Sequence, residues 1–416
     1  MAASVLPLDG WILFGTRFVR LFAYGLLALV LVLYLAEVGL SDQRIGVLLT
    51  LTLAGDTAIS LWITSVADSL GRRRMLLVGS MLMMLAAAVF VWTESFWLLL
   101  VAATVGVISP SGSEVGPFLS VEQAALSQIV PSQRRTAVFA WYHLIGSTAT
   151  ALGSLCGGLL SALCAQAGLS GADQYRPAVA IYGALGLVMA VGFLFLSRAT
   201  EVAAEDKAKS QRPPLLGLHK SRGVVLRLSA LFAMDAFGGG FVMQSLLAYW
   251  LHLRFGADPA ALGGVFLAAN LLAAVSALAA GWLASRFGLV NTMVFTHLPS
   301  NVLLILVPLM PSLEWAVGIL LVRFSISQMD VPTRQAYTML VVSPDERSAA
   351  AGVTNVARSV GAAISPLLAA RMLGVASWAS VPFFLAGGIK IVYDLLLYRA
   401  FASLKPASDS ADGSAK

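Results

Sequence analysis

Val66-Ala-Asp-Ser-Leu-Gly-Arg-Arg-Arg-Met75 interrupts two long apolar runs and packs Asp68, Gly71, Arg72, Arg73 and Arg74 into one tight turn. So short and basic a segment has no place in hydrocarbon, so it reads as a loop at a membrane face. Its arginines also indicate which face, because short cytoplasmic loops carry the excess of Lys and Arg. A weaker copy, Gly281-Trp-Leu-Ala-Ser-Arg-Phe-Gly288, stands between two later apolar runs. Two such loops, far apart and similarly placed, point to an internal duplication.

Composition agrees with a membrane location. Of the 416 residues, 58% are hydrophobic and 12% charged, and the mean hydropathy is +0.84. Soluble domains carry roughly a quarter charged residues. The fold class expected is therefore an all-α, multi-pass membrane protein with the lipid bilayer as its surroundings. A net charge of +6 would raise nucleic acid as a partner. Here the cations sit at the ends of apolar runs, where orientation in the bilayer explains them, so no nucleic-acid partner is expected. Cys156 and Cys164 fall within one predicted helix and read as small packing residues, with no disulfide framework and no metal motif. The N-terminus lacks a basic n-region and an Ala-x-Ala-like cleavage site, so the first span itself is expected to direct membrane entry.

The pattern predicts about twelve spans of roughly 20 residues or more. They run approximately over 11–36, 45–66, 75–93, 96–126, 136–165 and 177–197, then 224–251, 260–285, 288–309, 313–341, 348–373 and 379–402. Residues 1–197 and 223–402 form the two expected six-helix bundles, joined by a polar cytoplasmic linker at 198–222 that contains Pro213-Pro214. The tail at 403–416 is Ser/Ala/Asp-rich and reads as disordered. One side collects Arg72–Arg74, Arg134, Arg135, the linker cations, Arg286, Arg347 and Lys405; the other has little beyond Arg44, Arg176 and Arg254. Both termini are then cytoplasmic, in a plasma-membrane protein.

The repeat has a measurable register. Gln123-Ala124 matches Gln335-Ala336, and Arg135-x-Ala137 matches Arg347-x-Ala349, both at an offset of 212 residues; the Gly71–Gly288 pair is offset by 217 and needs one small indel. Parallel halves related by an axis along the membrane normal are an established pattern among membrane transporters.

Asp68-x-x-Gly71-Arg-Arg-Arg74 resembles the loop motif between the second and third helices of the major facilitator superfamily. That motif begins with a glycine four residues before the Asp and has a basic residue just after it; Thr64 and Ser69 stand at those positions here. The second copy keeps Gly281, Arg286 and Gly288 but has Ser285 where the acid would be. The drug-efflux branch carries a Gly-Pro pair in its fifth helix, whereas this chain has Gly153-x-x-x-Gly157-Gly158. The resemblance covers about residues 11 to 402 and implies two bundles, with the first, fourth, seventh and tenth helices lining a cavity.

An ionisable group inside a span costs at least a few kcal/mol, so each is a functional candidate. The fourth span is broken by Ser109-Pro-Ser-Gly-Ser-Glu-Val-Gly-Pro117. Its prolines free backbone carbonyls, and broken backbone at that depth survives only inside protein or beside water. A solute pathway beside Glu114 is expected, against a buried kink that pairs Glu114 with an arginine. By the same offset, Arg323 falls opposite Ser111 and Asp330 opposite Phe118, two turns apart on one face of the tenth span. Both are expected to face a cavity, with a structural polar stripe as the alternative. In the first span Arg17 is placed to snorkel to the surface. Arg20 lies roughly 14 Å deep and snorkels less easily. Superposing the halves on Gly25 and Gly238–Gly240 sets Arg20 against Asp235.

The candidate solute- and ion-binding residues are therefore Arg20, Glu114, Asp235, Arg323 and Asp330, with Asp235 or Glu114 carrying the proton and Arg20 and Arg323 holding the solute. The candidate gating residues are Asp68, Gly71, Arg72, Arg73, Glu122 and Arg334. The resemblance implies that Glu122 meets an arginine of the Asp68 loop and that Asp68 faces the eleventh helix, pairs that would open as the halves rock. Lys390 and Asp394, four apart, are expected to neutralise each other. His143, beside Trp141 and Tyr142, reads as a packing histidine with solute binding as the alternative, and Asn355 and Arg358 read as interhelical contacts. Together these features predict a monomeric secondary transporter of a small polar or anionic solute, working by alternating access. Protons are the expected coupling ion, efflux is favoured over uptake, and no cofactor, metal or catalytic residue is expected. The rival readings are a membrane-embedded lipid-handling protein and a non-transporting receptor of the same fold.

Overall fold

The computed structural model describes residues 6–114, 118–131, 134–201, 219, 221–343 and 346–401, without the side chains of Asp68, Thr136, Ala137 and Ser348. Most of the 198–222 linker and all of the 403–416 tail lie outside the described residues. The chain runs α1 (Leu8–Glu37), α2 (Asp42–Leu70), α3 (Arg72–Trp92), α4 (Phe96–Val105), α5 (Phe118–Ile129), α6 (Arg135–Gln166) and α7 (Arg176–Leu194). It continues with α8 (Arg222–Gly240), α9 (Gln244–Phe255), α10 (Pro259–Phe287), α11 (Leu289–Leu306), α12 (Leu313–Ile326), α13 (Asp330–Val341), α14 (Arg347–Leu373) and α15 (Val381–Phe401). Among the described residues there is no strand. Ten of these stretches are long and apolar enough to cross a membrane, α8 and α9 counting as one. The remaining two of the twelve expected spans are the interrupted ones, α4–α5 and α12–α13.

The stretch that reads as a loop in sequence is almost wholly helical. Helix α2 continues to Leu70, α3 starts at Arg72, and Gly71 alone makes the corner at φ 107°. The second copy is built the same way, with Gly288 at φ 83° between α10 and α11. An L-residue carrying a Cβ resists that backbone region by about 1–2 kcal/mol. The corner therefore retains its glycine in both copies while the Asp is replaced by Ser285 in the second.

Two compact units emerge. The first comprises Met1–Gln211 and Met243–Asn270. Its axis is α1, buried along most of its length and packed on α6 and α7. Lipid supplies no hydrophobic drive between helices, so close approach of small residues does that work. A Cβ added at Gly153 of α6 would lie 2.0 Å from the Phe22 carbonyl oxygen of α1, which leaves room for glycine alone. Helix α9 belongs to this unit through a Tyr249 hydroxyl that donates to Asp42 at 3.1 Å and a Gln244 amide that donates to Ser154 at 2.9 Å.

The break between α4 and α5 lies in this unit too, and protein satisfies its backbone. The Val107 carbonyl accepts from the Tyr182 hydroxyl at 2.9 Å, Pro110 from the Ser245 amide at 3.2 Å, and Gly112 from the Thr150 hydroxyl at 3.3 Å. Of the two ways such a break survives at membrane depth, these three carbonyls use enclosure by protein.

The second unit comprises Arg212–Val242 and Leu271–Lys416. Helix α8 packs on α14 as α1 does on α6, and a Cβ at Gly361 would meet the Ala233 carbonyl at 2.2 Å. Helices α11 and α15 flank α8 and α13 around a core that includes Leu228, Phe232, Met293, Tyr337 and Tyr393. The break between α12 and α13 spans Ser327–Met329, and the Gln328 amide donates to Ser276 at 3.3 Å.

Candidate functional site

Each unit encloses a cluster of charges. In the first, Arg17 and Arg20 lie one turn apart on α1. Arg20 grips Glu122 of α5 with two parallel bonds, Nη1 to Oε1 at 2.6 Å and Nη2 to Oε2 at 2.7 Å. The same Nη2 donates to Glu114 Oε1 at 2.5 Å, and Arg17 Nη1 reaches that oxygen at 3.2 Å. The Tyr142 hydroxyl of α6 donates to Glu122 Oε2. Two rings complete the enclosure, with the Arg17 guanidinium 4.3 Å from the Tyr142 centroid and that of Arg20 4.8 Å from the Phe118 centroid. Two cations and two carboxylates cancel here. The side chains of Arg20 and Glu122 are both 0% exposed, whereas that of Glu114 is 17% exposed. Glu114 Oε2 has no hydrogen-bond partner.

Three expectations change here. Glu122, expected to meet an arginine of the 66–75 turn, gives both carboxylate oxygens to Arg20, because a carboxylate so enclosed needs a cation within the bundle. Arg17 does not snorkel but is buried against Glu114 and Tyr142. Arg20 is spent on two carboxylates and holds them in place.

The arginines of the turn find partners nearby. Glu201, just beyond α7, accepts from the Arg72 amide at 2.8 Å and the Arg73 amide at 3.1 Å, so a carboxylate seals the N-terminus of α3. That is the favourable end of the helix dipole for an anion. The Arg72 side chain donates to Gln128 at 2.8 Å and to the Thr200 carbonyl at 3.1 Å. Arg73 reaches the Leu196 carbonyl at 3.4 Å. The Asp68 side chain lies outside the described residues.

In the second unit, Asp235 of α8 is the hub. Its Oδ1 accepts from Lys390 Nζ at 2.6 Å and its Oδ2 from Arg334 Nη1 at 3.1 Å. Arg334 also pairs with Asp330 at 3.2 Å. His297 of α11 donates from Nδ1 to Asp394 at 2.8 Å and directs Nε2 toward Asp235 at 3.8 Å. Asn301 donates to the other Asp394 oxygen at 2.9 Å. The intrahelical Lys390–Asp394 pair expected from spacing does not form, because each side chain crosses to a neighbouring helix. Arg334, expected as a gating residue at a helix end, lies buried inside this network. Arg323 makes no salt bridge among the described residues, and its Nε is buried without a partner. His143 is exposed on α6 rather than packed.

The two clusters share one design with the signs exchanged. The first helix of one half offers Arg20 to Glu122; the first helix of the other offers Asp235 to Arg334. Glu122 and Arg334 are the pair related by the 212-residue offset.

Residues 13–366 match the family model of the Major Facilitator Superfamily. The chain belongs to the major facilitator superfamily. It is a multi-pass membrane transporter of that superfamily, with the fold the loop motif implied. An uncharacterized membrane protein of Saccharomyces cerevisiae, YJR124C, is 30% identical over 93% of this chain and 92% of its own length. The fold is similar to the solved nucleoside transporter NupG, with a TM-score of 0.73 at 13% identity, covering 96% of this chain and all of that one. It is also similar to a D-xylose-proton symporter, with a TM-score of 0.70 at 13% identity, covering 94% and 97% of the two chains.

Sequence reasoning missed Tyr142 as a ligand of Glu122 and missed His297 altogether. A lone histidine in an apolar run carried the signal, since any ionisable residue in a span is a candidate.

Proposed function

We propose that this transporter carries a small polar or anionic solute by alternating access, driven by protons, with outward movement favoured. The two halves of the sequence repeat are the moving parts, the termini are cytoplasmic and the host is the plasma membrane. The observation that carries the reading is Glu114. It is the one carboxylate of its cluster that is partly exposed, and it has one oxygen committed to Arg17 and Arg20 and the other unbonded. A proton added at Oε2 would loosen its hold on Arg17 while Arg20 stays bound to Glu122. Asp235 is the weaker candidate, because both of its oxygens are held by cations. Arg20 then positions Glu114, and solute contact falls to Arg323 in the second unit, with Asp330 holding Arg334 beside it. Arg72, Arg73 and Gly71 set the corner that moves with its helices during gating.

The test needs a solute first, found by thermal stabilisation of the purified protein across organic acids, sugars, nucleosides and drugs; a true ligand raises the melting temperature by mass action. In proteoliposomes, Glu114→Gln should then keep solute counterflow but lose acceleration by a pH gradient. Undiminished gradient dependence in Glu114→Gln overturns the assignment of the proton to Glu114.

A further inference from the structure

We infer that the solute carries an anionic group, a carboxylate or a phosphate, and that Arg323 of α12 and Arg358 of α14 hold it. The inference rests on the transport reading above and names the substrate class of that site. It begins with a charge imbalance. In the first unit two cations meet two carboxylates. In the second, among the described residues of the network and its borders, Lys390, Arg334, Arg323 and Arg358 stand against Asp235, Asp330 and Asp394, so one cation is in excess even with His297 uncharged.

The carboxylates are already spoken for. Asp235 is taken by Lys390 and Arg334, Asp394 by His297 and Asn301, and Asp330 by Arg334. Arg323 and Arg358 form no salt bridge among the described residues, and each has a buried Nε with no hydrogen-bond partner. Among the described residues, the contact the Arg323 guanidinium makes is with the face of neighbouring Phe324, 5.0 Å from its central carbon. The two arginines border the same network: α14 packs on α8 and α13, which carry Asp235, Asp330 and Arg334, and α12 leads through the 327–329 break straight into Asp330. Both residues are half-buried, and a cation drawn that far out of water without a partner is costly. An arriving anion removes that cost, and the planar guanidinium fork fits two oxygens of a carboxylate or phosphate at once. Arg358 reads from sequence as an interhelical contact; the ion pairs around it leave it free for this purpose.

The experiment is a thermal-shift titration of the purified full-length protein. The probes are short-chain carboxylates, glycerol phosphate as a phosphate monoester, and the neutral comparators glycerol, xylose and uridine, all at constant ionic strength with chloride. Saturable stabilisation by a carboxylate or by the phosphate monoester is expected, the stronger of the two identifying the group. Arg323→Gln and Arg358→Gln should each weaken that binding at least tenfold, and Arg358→Lys should restore part of it. Folding of each variant is checked by gel filtration and by its unliganded melting temperature. The inference is overturned if no anion stabilises the protein, if neutral probes stabilise it as well as the anions do, or if both glutamine variants bind the anion as tightly as the parent. Counterflow separates this from the broader reading: a neutral solute carried without anion binding sinks the anion site alone, whereas anion binding without flux of any solute sinks transport.

Discussion

The Arg20–Glu122 pair gives a prediction whose sign runs against intuition: removing both partners should harm the protein less than removing either. Arg20→Met strands Glu122, a fully enclosed carboxylate, with only the Tyr142 hydroxyl as a donor. Breaking one side of a buried pair costs about 3–5 kcal/mol. Glu122→Leu leaves Arg17 and Arg20 sharing Glu114, with two charge-assisted bonds lost and the Tyr142 hydroxyl orphaned; at about 1.5 kcal/mol per bond and about 1 kcal/mol for the hydroxyl, the cost is about 4 kcal/mol. The double variant keeps the Arg17–Glu114 pair, a neutral cluster, and replaces two polar groups by apolar ones of similar length. Its cost should be about 1–2 kcal/mol, chiefly the orphaned Tyr142 hydroxyl. The coupling energy is then about 6 kcal/mol in favour of the double variant, far above the few tenths expected of independent sites. Buried Cys164 of α6 offers a probe within the same unit. In a Cys156→Ala background, labelling of Cys164 by a thiol-reactive dye on heating reports when this unit opens. Scans at one fixed rate compare the four proteins. A double variant that loses as much as the two single variants combined would refute the electrostatic account of the cluster.

Further outcomes follow from the same geometry. Glu201→Ala removes the acceptor for two amides at the start of α3 and should cost about 1–2 kcal/mol, partly screened by salt, read as faster proteolysis near Arg72–Arg74. Gly153→Ala drives a methyl into the Phe22 carbonyl and should lower stability by about 1–3 kcal/mol, whereas Gly264→Ala, with nothing within 4 Å of the new carbon, should be neutral or stabilising. Gly288→Ala forces a side chain into a left-handed corner and should cost about 1–2 kcal/mol in thermal unfolding. Asp235→Asn leaves Lys390 and Arg334 with a neutral partner; a clear fall in melting temperature is expected, and adding Lys390→Met should recover part of it.

Most of the fold could be read from the chain because the bilayer leaves few alternatives. Apolar runs of spanning length must be helices, and the prolines and glycines of 109–117 had to mark a break. What stayed hidden was which side chains meet across helices. Spacing along one helix favoured Lys390 with Asp394, yet α15 presents each to a different neighbour, Asp235 on α8 and His297 on α11. The family pattern favoured Glu122 with an arginine of the turn, yet Glu201 already seals that turn and Arg20 lies within reach of α5. Helical periodicity sets the face of a residue but not its partner on the next helix.

The repeat contained more information than periodicity alone extracts. Two matched interior positions are charged in both halves, and both change sign between them: Arg20 becomes Asp235, and Glu122 becomes Arg334. If the two positions lay apart, each change would move an uncompensated charge into the membrane interior, at a cost of several kcal/mol per site. If they touch, exchanging both signs preserves the pair and costs little. A coordinated inversion between the two copies of a duplicated chain therefore identifies partners without any alignment of relatives. Of the charges discussed in the second half that lack such a counterpart, Asp330, Lys390 and Asp394 have ion-pair partners, whereas Arg323 and Arg358 have none among the described residues. The 212-residue offset places Arg323 opposite Ser111 and Arg358 opposite Gly146, so neither arginine has a charged counterpart in the first half. Unmatched by the repeat and without an ion pair among the described residues, these two cations are surplus positive charge in the second half, and surplus positive charge is what the anionic end of a solute would neutralise.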